Sequence, residues 1–178
     1  MPLIDVAPGQ EHLVALWEEH VRYEFETHDA EATVATMQPE AYVNHIPTMT
    51  GGVGRQALKA FYGTHFIPTI PPDFASELIS RTVGATQLVD EMYTTFTHTV
   101  EIDWMLPGVP PTGRRVEVVV VAIVSFRDGK LVHEHIHWDQ ASVLVQIGLL
   151  DPAGLPVAGA EAAHKARDPA LPSNRLIG

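Results

Sequence analysis

VEVVVVAIVSFRDGKLVHEHIHWDQASVLVQIG, residues 116–148, is the stretch around which the chain is organised. Val116 to Phe126 is a dense run of β-branched and aromatic residues, which predicts a central strand buried on both faces. Asp128-Gly129 separates it from Leu131 to Trp138, and a glycine-containing turn between two such runs signals an antiparallel hairpin. In the second strand a two-residue period sends His133, His135, His137 and Asp139 one way and Glu134, Ile136 and Trp138 the other. The histidine side is expected to face the interior. Asp139 also stands at the N-cap of a short apolar helix, Ala141 to Ile147, that Gly148 ends.

Composition narrows the function. The 178 residues fit one domain, 1–150, with an irregular tail, 151–178, rich in Pro, Gly and Ala. Twenty-two acidic residues against 11 basic ones give a net charge of −11, which works against nucleic acid as a partner. With no cysteine, disulfides and thiolate chemistry are excluded. The opening MPLIDVAPG has neither a basic nor an apolar leader pattern, and the longest apolar run, Val118 to Val124, is too short for a bilayer. A soluble, cytoplasmic protein is expected.

Before the central strand the order is helices, then strands. Leu13, Leu16, Trp17, Val21, Phe25 and His28 recur at helical spacing across Glu11 to His28, and His20, Tyr23 and Glu24 lie beside that stripe, at positions read as solvated flanks. Asp29 caps a second helix, Ala30 to Met37; Ala41 to Ile46 reads as a strand; Gly51, Gly52 and Gly54 read as a flexible turn before a third helix, Gln56 to His65. Strands at Phe74 to Val83 and Gln87 to Val100 form another hairpin, and His98 shares a face with Met92, Thr94 and Phe96. Helices first and a meander of about four long strands after them argue α+β with an antiparallel sheet. Such a sheet can curl over the helices and leave a pocket.

The succession HDAEATVATM, YVNHIPT, GGVGRQALKAFY, PPTGRRVEVVVVAIVSFRDGKLVHEHIHWD and SVLVQIG, spread over Glu11 to about Leu150, resembles the SnoaL-like polyketide cyclases of the nuclear transport factor 2-like superfamily. The resemblance implies a conical α+β barrel, with three N-terminal helices set on a strongly curved, mainly antiparallel sheet around an apolar pocket. It also implies a homodimer packed through sheet backs. Cyclases of this kind close a ring by intramolecular aldol chemistry with an acidic side chain and no cofactor; relatives with the same shell are isomerases, dehydratases, epoxide hydrolases or non-catalytic modules. Asp139 matches the aspartate of the family's closing Trp-Asp motif, and His45 and His98 stand where members often place a histidine. The triple-histidine strand and the long tail depart from the pattern.

These residues give three readings. In the first, a small, largely apolar carbonyl or ester compound is cyclised, isomerised or hydrolysed, with Asp139 as base, His137, His98 or His45 orienting it or polarising a carbonyl, and His135, Trp17, Phe61 and Trp104 lining the pocket. Asp139 reads equally well as a helix cap alone. The second reading is a non-catalytic small-molecule-binding or dimerisation module. The third is a metal-dependent hydrolase, because His133, His135 and His137 alternate on one side of a strand, with Asp139, His45 or His98 completing the set; the expectation is no metal and no cofactor. Arg114-Arg115 reads as a solvated strand entrance.

Overall fold

Seven strands, β1 (Leu3–Val6), β2 (Met37–His45), β3 (Thr50–Val53), β4 (Ala75–Val83), β5 (Gln87–Thr97), β6 (Arg115–Arg127) and β7 (Lys130–Trp138), form one sheet in the computed structural model, which describes residues 1–177. Their order is β1-β4-β5-β6-β7-β2-β3, so the valine-rich run lies at the centre and β4 to β7 form a meander. The β1–β4 and β2–β7 pairs are parallel and the others antiparallel. Register shifts at Leu78/Ser80, Met37/Tyr42 and Ser125/Phe126 bend the sheet, which curls without closing. The helices α1 (Glu11–Phe25), α2 (Ala30–Ala35) and α3 (Arg55–Ala60) pack against its concave side. The architecture is α+β, as expected. No described helix is long and apolar enough to cross a membrane.

The alternation of β6 sets what is inside. Val116, Val118, Val120, Ala122, Val124 and Phe126 are buried on the concave face, while Glu117, Val119, Val121, Ile123 and Ser125 are only half-buried on the convex one. The expectation of a strand buried on both faces is therefore corrected. One face is core; the other is partly solvated, as antiparallel sheets commonly are. Asp128 and Gly129 both have positive φ, 51° and 69°, the two-residue turn whose twist matches a right-handed hairpin. This fixes the pairing of Val124 with Glu134, Ala122 with Ile136 and Val120 with Trp138.

Three elements depart from their sequence reading. The short strand β1 was not anticipated, because its exposed LIDV carries no alternation. The glycines read as a flexible turn instead build β3, paired antiparallel with β2. The third helix ends early and continues as a π-helical stretch, Phe61–Phe66. In a π-helix hydrogen bonds run from i to i+5, so Phe61 and Phe66 stack on one side instead of diverging, and both are buried with Tyr62.

Beyond α4 (Gln140–Ile147), the tail folds back over the convex face. In α5 (Glu161–Arg167) Ala163 is buried, the Arg167 guanidinium lies 4.4 Å from the Tyr93 ring centre, and His164 pairs with Glu117. Ser142 Oγ donates to the Gly159 carbonyl at 2.9 Å.

Gly51 tests the hairpin that carries the wall residue Val43. Its φ is +139°, and a Cβ there would lie within 2.7 Å of the Val43 carbonyl carbon. Gly51→Ala is expected to cost roughly 1–3 kcal/mol from backbone strain alone, with any clash added, read as a lower urea midpoint; Gly108→Ala, where nothing lies within 4 Å, meets no clash.

Candidate active site

The concave face does not fill solid. A cavity of about 620 Å³ remains between α1 and the sheet. Its wall is largely aromatic, with Trp17, Phe25, Phe61, Phe66, Phe74 and Trp104 all lining it. Glu18, Arg22 and Glu26 on the exposed flank of α1 mark its mouth. Deep inside, Glu24, Tyr62, Glu134 and His45 supply polar groups.

The two glutamates meet at one imidazole. Leu13, Trp17, His20 and Glu24 form the buried face of α1, so His20 and Glu24, one turn apart, point inward. His20 is 0 % exposed, Glu24 4 % and Glu134 3 %. His20 Nε2 lies 3.2 Å from Glu24 Oε1 and 3.1 Å from Glu134 Oε1, and the Tyr62 hydroxyl donates to Glu134 Oε1 at 3.1 Å. On the other side of the ring, Nδ1 lies 2.6 Å from Thr36 Oγ1, whose own proton goes to the Thr33 carbonyl at 2.7 Å. Thr36 therefore accepts, His20 keeps a proton on Nδ1, and Nε2 is the nitrogen that exchanges a proton with the carboxylates.

Electrostatics follow from this arrangement. Burial opposes charge on His20, but the two carboxylates outweigh it and raise the pKa from 6.5 to about 10. Burial also holds the Glu24 carboxyl above its ordinary value, against the pull of His20. The Tyr62 hydroxyl is pushed well above 10 by burial and by both glutamates. Two carboxylates thus share one cation, and burial works toward a proton on Glu24.

A second polar group stands toward the mouth. Arg81 grips Asp90 through Nε at 2.7 Å and Nη2 at 2.8 Å, Trp17 Nε1 donates to the same carboxylate at 2.9 Å, and Arg81 Nη1 reaches Glu18 at 2.8 Å. This two-pronged pair is satisfied within the protein.

His45 lies on β2 beside Glu134, because Val43 pairs with Glu134 and His45 with Ile136. It is 3 % exposed, and its Nδ1 lies 3.2 Å from Thr50 Oγ1, which gives its own proton to the Trp104 carbonyl at 2.9 Å. Nδ1 is thus the donor. Nε2 is left as an acceptor with no hydrogen bond among the described residues. Burial lowers this pKa to about 4, Glu134 working the other way, so the ring is neutral.

The expected inward face of β7 is the outward one. His133, His135 and His137 pair with Ser125, Ile123 and Val121 on the convex side, half-buried, while Glu134 and Ile136 line the cavity. His133 stacks on Tyr42 with ring centres 5.1 Å apart. Asp139 accepts the Ser142 backbone N–H at 3.1 Å as the cap of α4 and does not line the cavity. His98, buried, accepts the Thr112 backbone N–H at Nδ1 and also lies off the cavity wall; its Nε2 has no partner among the described residues. Trp17, Phe61, Trp104 and His45 do line it; His135 and His137 do not.

The three strand histidines do not converge on a metal-sized point either. Among the described residues, the group of three whose ligand atoms lie within 4.8 Å of one another is His20, Glu24 and Glu134. Sequence reasoning left His20 and Glu24 on a solvated flank and set Glu134 aside. The available signal was that Ile136 and Trp138, the apolar residues of β7, share the side of Glu134 and mark it as inward.

These shifts give stability a pH profile. The support from His20 is fully present below about pH 6.5 and is lost as pH rises toward 10, and Glu24 acts in the same sense; His45 loses its support as pH falls from 6.5 toward 4. Thermal midpoints should therefore fall on both sides of neutrality. His20→Gln should start lower and lose the His20 part of the alkaline slope.

Comparison with known proteins places this site in a family. A SnoaL-like domain profile matches residues 14–134. No sequence among curated proteins matches the chain. Among solved structures, the chain is similar to a protein of Jannaschia sp. CCS1 provisionally named a SnoaL-like polyketide cyclase (21 % identity, covering 83 % of this chain and 99 % of that one, TM-score 0.62). It is also similar to AclR of Streptomyces galilaeus, provisionally named a hydroxylase (24 %, 86 % and 97 %, 0.60). A third is SalBIII, an epoxide hydrolase/cyclase-like enzyme of pyran ring formation in salinomycin (14 %, 74 % and 93 %, 0.53). At these identities the likeness speaks for the fold, and the profile, spanning most of the chain, for the family: the protein belongs to the SnoaL-like domain family.

Proposed function

We propose that this is a cytoplasmic enzyme that performs acid–base chemistry through its own side chains on a small, largely apolar carbonyl or ester compound, by cyclisation, isomerisation or hydrolysis. The observation that carries this reading is the contact of His20 Nε2 with both Glu24 and Glu134, two carboxylates that line an aromatic cavity. Glu134 is the base, since it lines the cavity, and the His20 cation, donating to it from Nε2, holds it in place. The Tyr62 hydroxyl, held neutral and donating to Glu134 at rest, turns to a developing oxyanion once Glu134 has taken a proton. His45 orients the substrate through its free Nε2. The same reading assigns a homodimer contact to the convex face, where Val121 and Ile123 stay half-buried.

Structural relatives named for cyclase, hydroxylase and epoxide hydrolase chemistry are compatible with it, and the choice among the three reactions rests on the substrate. The alternative is a non-catalytic binding module. It is favoured by the hydrogen bonds that His20, Glu24, Tyr62, Thr36 and Glu134 already make to one another.

Turnover of a panel of small apolar ketones and esters separates the two. Glu134→Gln and Tyr62→Phe are each expected to lower kcat roughly 10²–10⁴-fold while circular dichroism stays native. Asp139→Ala should keep turnover and lose about 1 kcal/mol of stability as a lost helix cap. Full activity in Glu134→Gln sinks the catalytic assignment; binding with no turnover of any panel member favours the module.

A further inference from the structure

The deep end of the cavity has more acceptors than donors. Glu24, Glu134 and His45 Nε2 are acceptors there, and the donors nearby are committed: His20 Nε2 and Tyr62 to the glutamates, and Trp17 Nε1 and Arg81 to Asp90. Trp104 Nε1 is buried out of reach of solvent, with no partner among the described residues. A ligand that fits this end must bring its own N–H or O–H groups.

Charge points the same way. Arg81 is offset by Asp90 and Glu18, and His20 by Glu24 and Glu134, so each buried cation already faces two carboxylates. Arg22, exposed at the mouth, has no ion pair among the described residues and lies over the Tyr23 ring, with Glu18 and Glu26 also at the mouth. Deeper in, an anionic ligand would meet no unpaired positive charge, whereas a cation would meet surplus carboxylate and six aromatic faces, the surroundings in which cation–π attraction is strongest when water is excluded.

We propose that the ligand carries a protonated amine, seated between Glu134 and His45 Nε2, with its hydrocarbon body against the aromatic wall. This rests on the cavity being the working site and narrows the substrate to a carbonyl or ester compound bearing a basic nitrogen. An ammonium group offers three donors, which matches the acceptors of Glu134, Glu24 and the unpartnered ring nitrogen of His45. Burial works toward a proton on Glu24. The ligand's positive charge beside it works the other way, so a proton leaves the cluster as the amine enters.

Three probes of one skeleton test this by titration calorimetry near neutral pH: naphthylmethylamine, naphthylmethanol and naphthoate. The ammonium is expected to bind about tenfold or more tighter than the alcohol, with naphthoate weakest. Its binding enthalpy should vary with the ionisation enthalpy of the buffer, reporting proton release, and that of the alcohol should not. Glu134→Gln should erase the preference for the amine over the alcohol, and His45→Gln, which leaves the glutamates in place, should weaken it. Equal affinities, tightest binding of naphthoate, or no measurable binding of the ammonium overturn the proposal. Because these are binding measurements, they stand apart from turnover: an amine preference alongside full activity in Glu134→Gln removes the catalytic reading alone, and turnover of neutral ketones without an amine preference removes this one alone.

Discussion

One imidazole holds two carboxylates from opposite sides of the cavity, Glu24 from α1 and Glu134 from β7, at 3.2 and 3.1 Å. Breaking a buried group of this kind typically costs about 3–5 kcal/mol, because the charges left behind have no water to turn to. The contact therefore fastens the helix to the sheet as well as setting the site's protonation. Tyr62 joins through the π-helical stretch and Thr36 through the end of α2. Four separate elements thus converge on His20, and the cavity lies beside that junction.

The aromatic wall is the apolar counterpart of this junction. His45, Phe66 and Trp104 pack with ring centres 5.1–5.8 Å apart, and Phe74 stacks between Phe25 and Phe96. Offset and edge contacts of this sort add to the area they bury. Broad rings meeting at angles fill space less completely than interleaved aliphatic side chains would, and here they surround the hollow.

The meander of β4 to β7, the central position of β6, the hairpin at Asp128-Gly129 and the cap at Asp139 were legible in the sequence, because each depends on residues close together in the chain. The phase of β7 was not. Alternation gives two faces but does not say which is inner, and three histidines drew attention from Ile136 and Trp138, which settle it. His20 and Glu24 read as solvated because a polar residue's burial depends on partners far along the chain, here Tyr62 and Glu134. No local pattern announces those partners. The glycines of β3 misled for the opposite reason: the freedom that suggests a loose turn is here used for close backbone approach at Gly51.

The segment after residue 134 lies outside the stretch matched by the family profile, and its last helix rests on Tyr93 and Glu117. The back of the sheet is thereby divided, one half roofed by the chain's own end and the other, bearing Tyr42 and the paired rings of His133 and His135, left open. Two copies meeting back to back would have to slide sideways past that roof. Their twofold axis would be displaced toward β7 and β2.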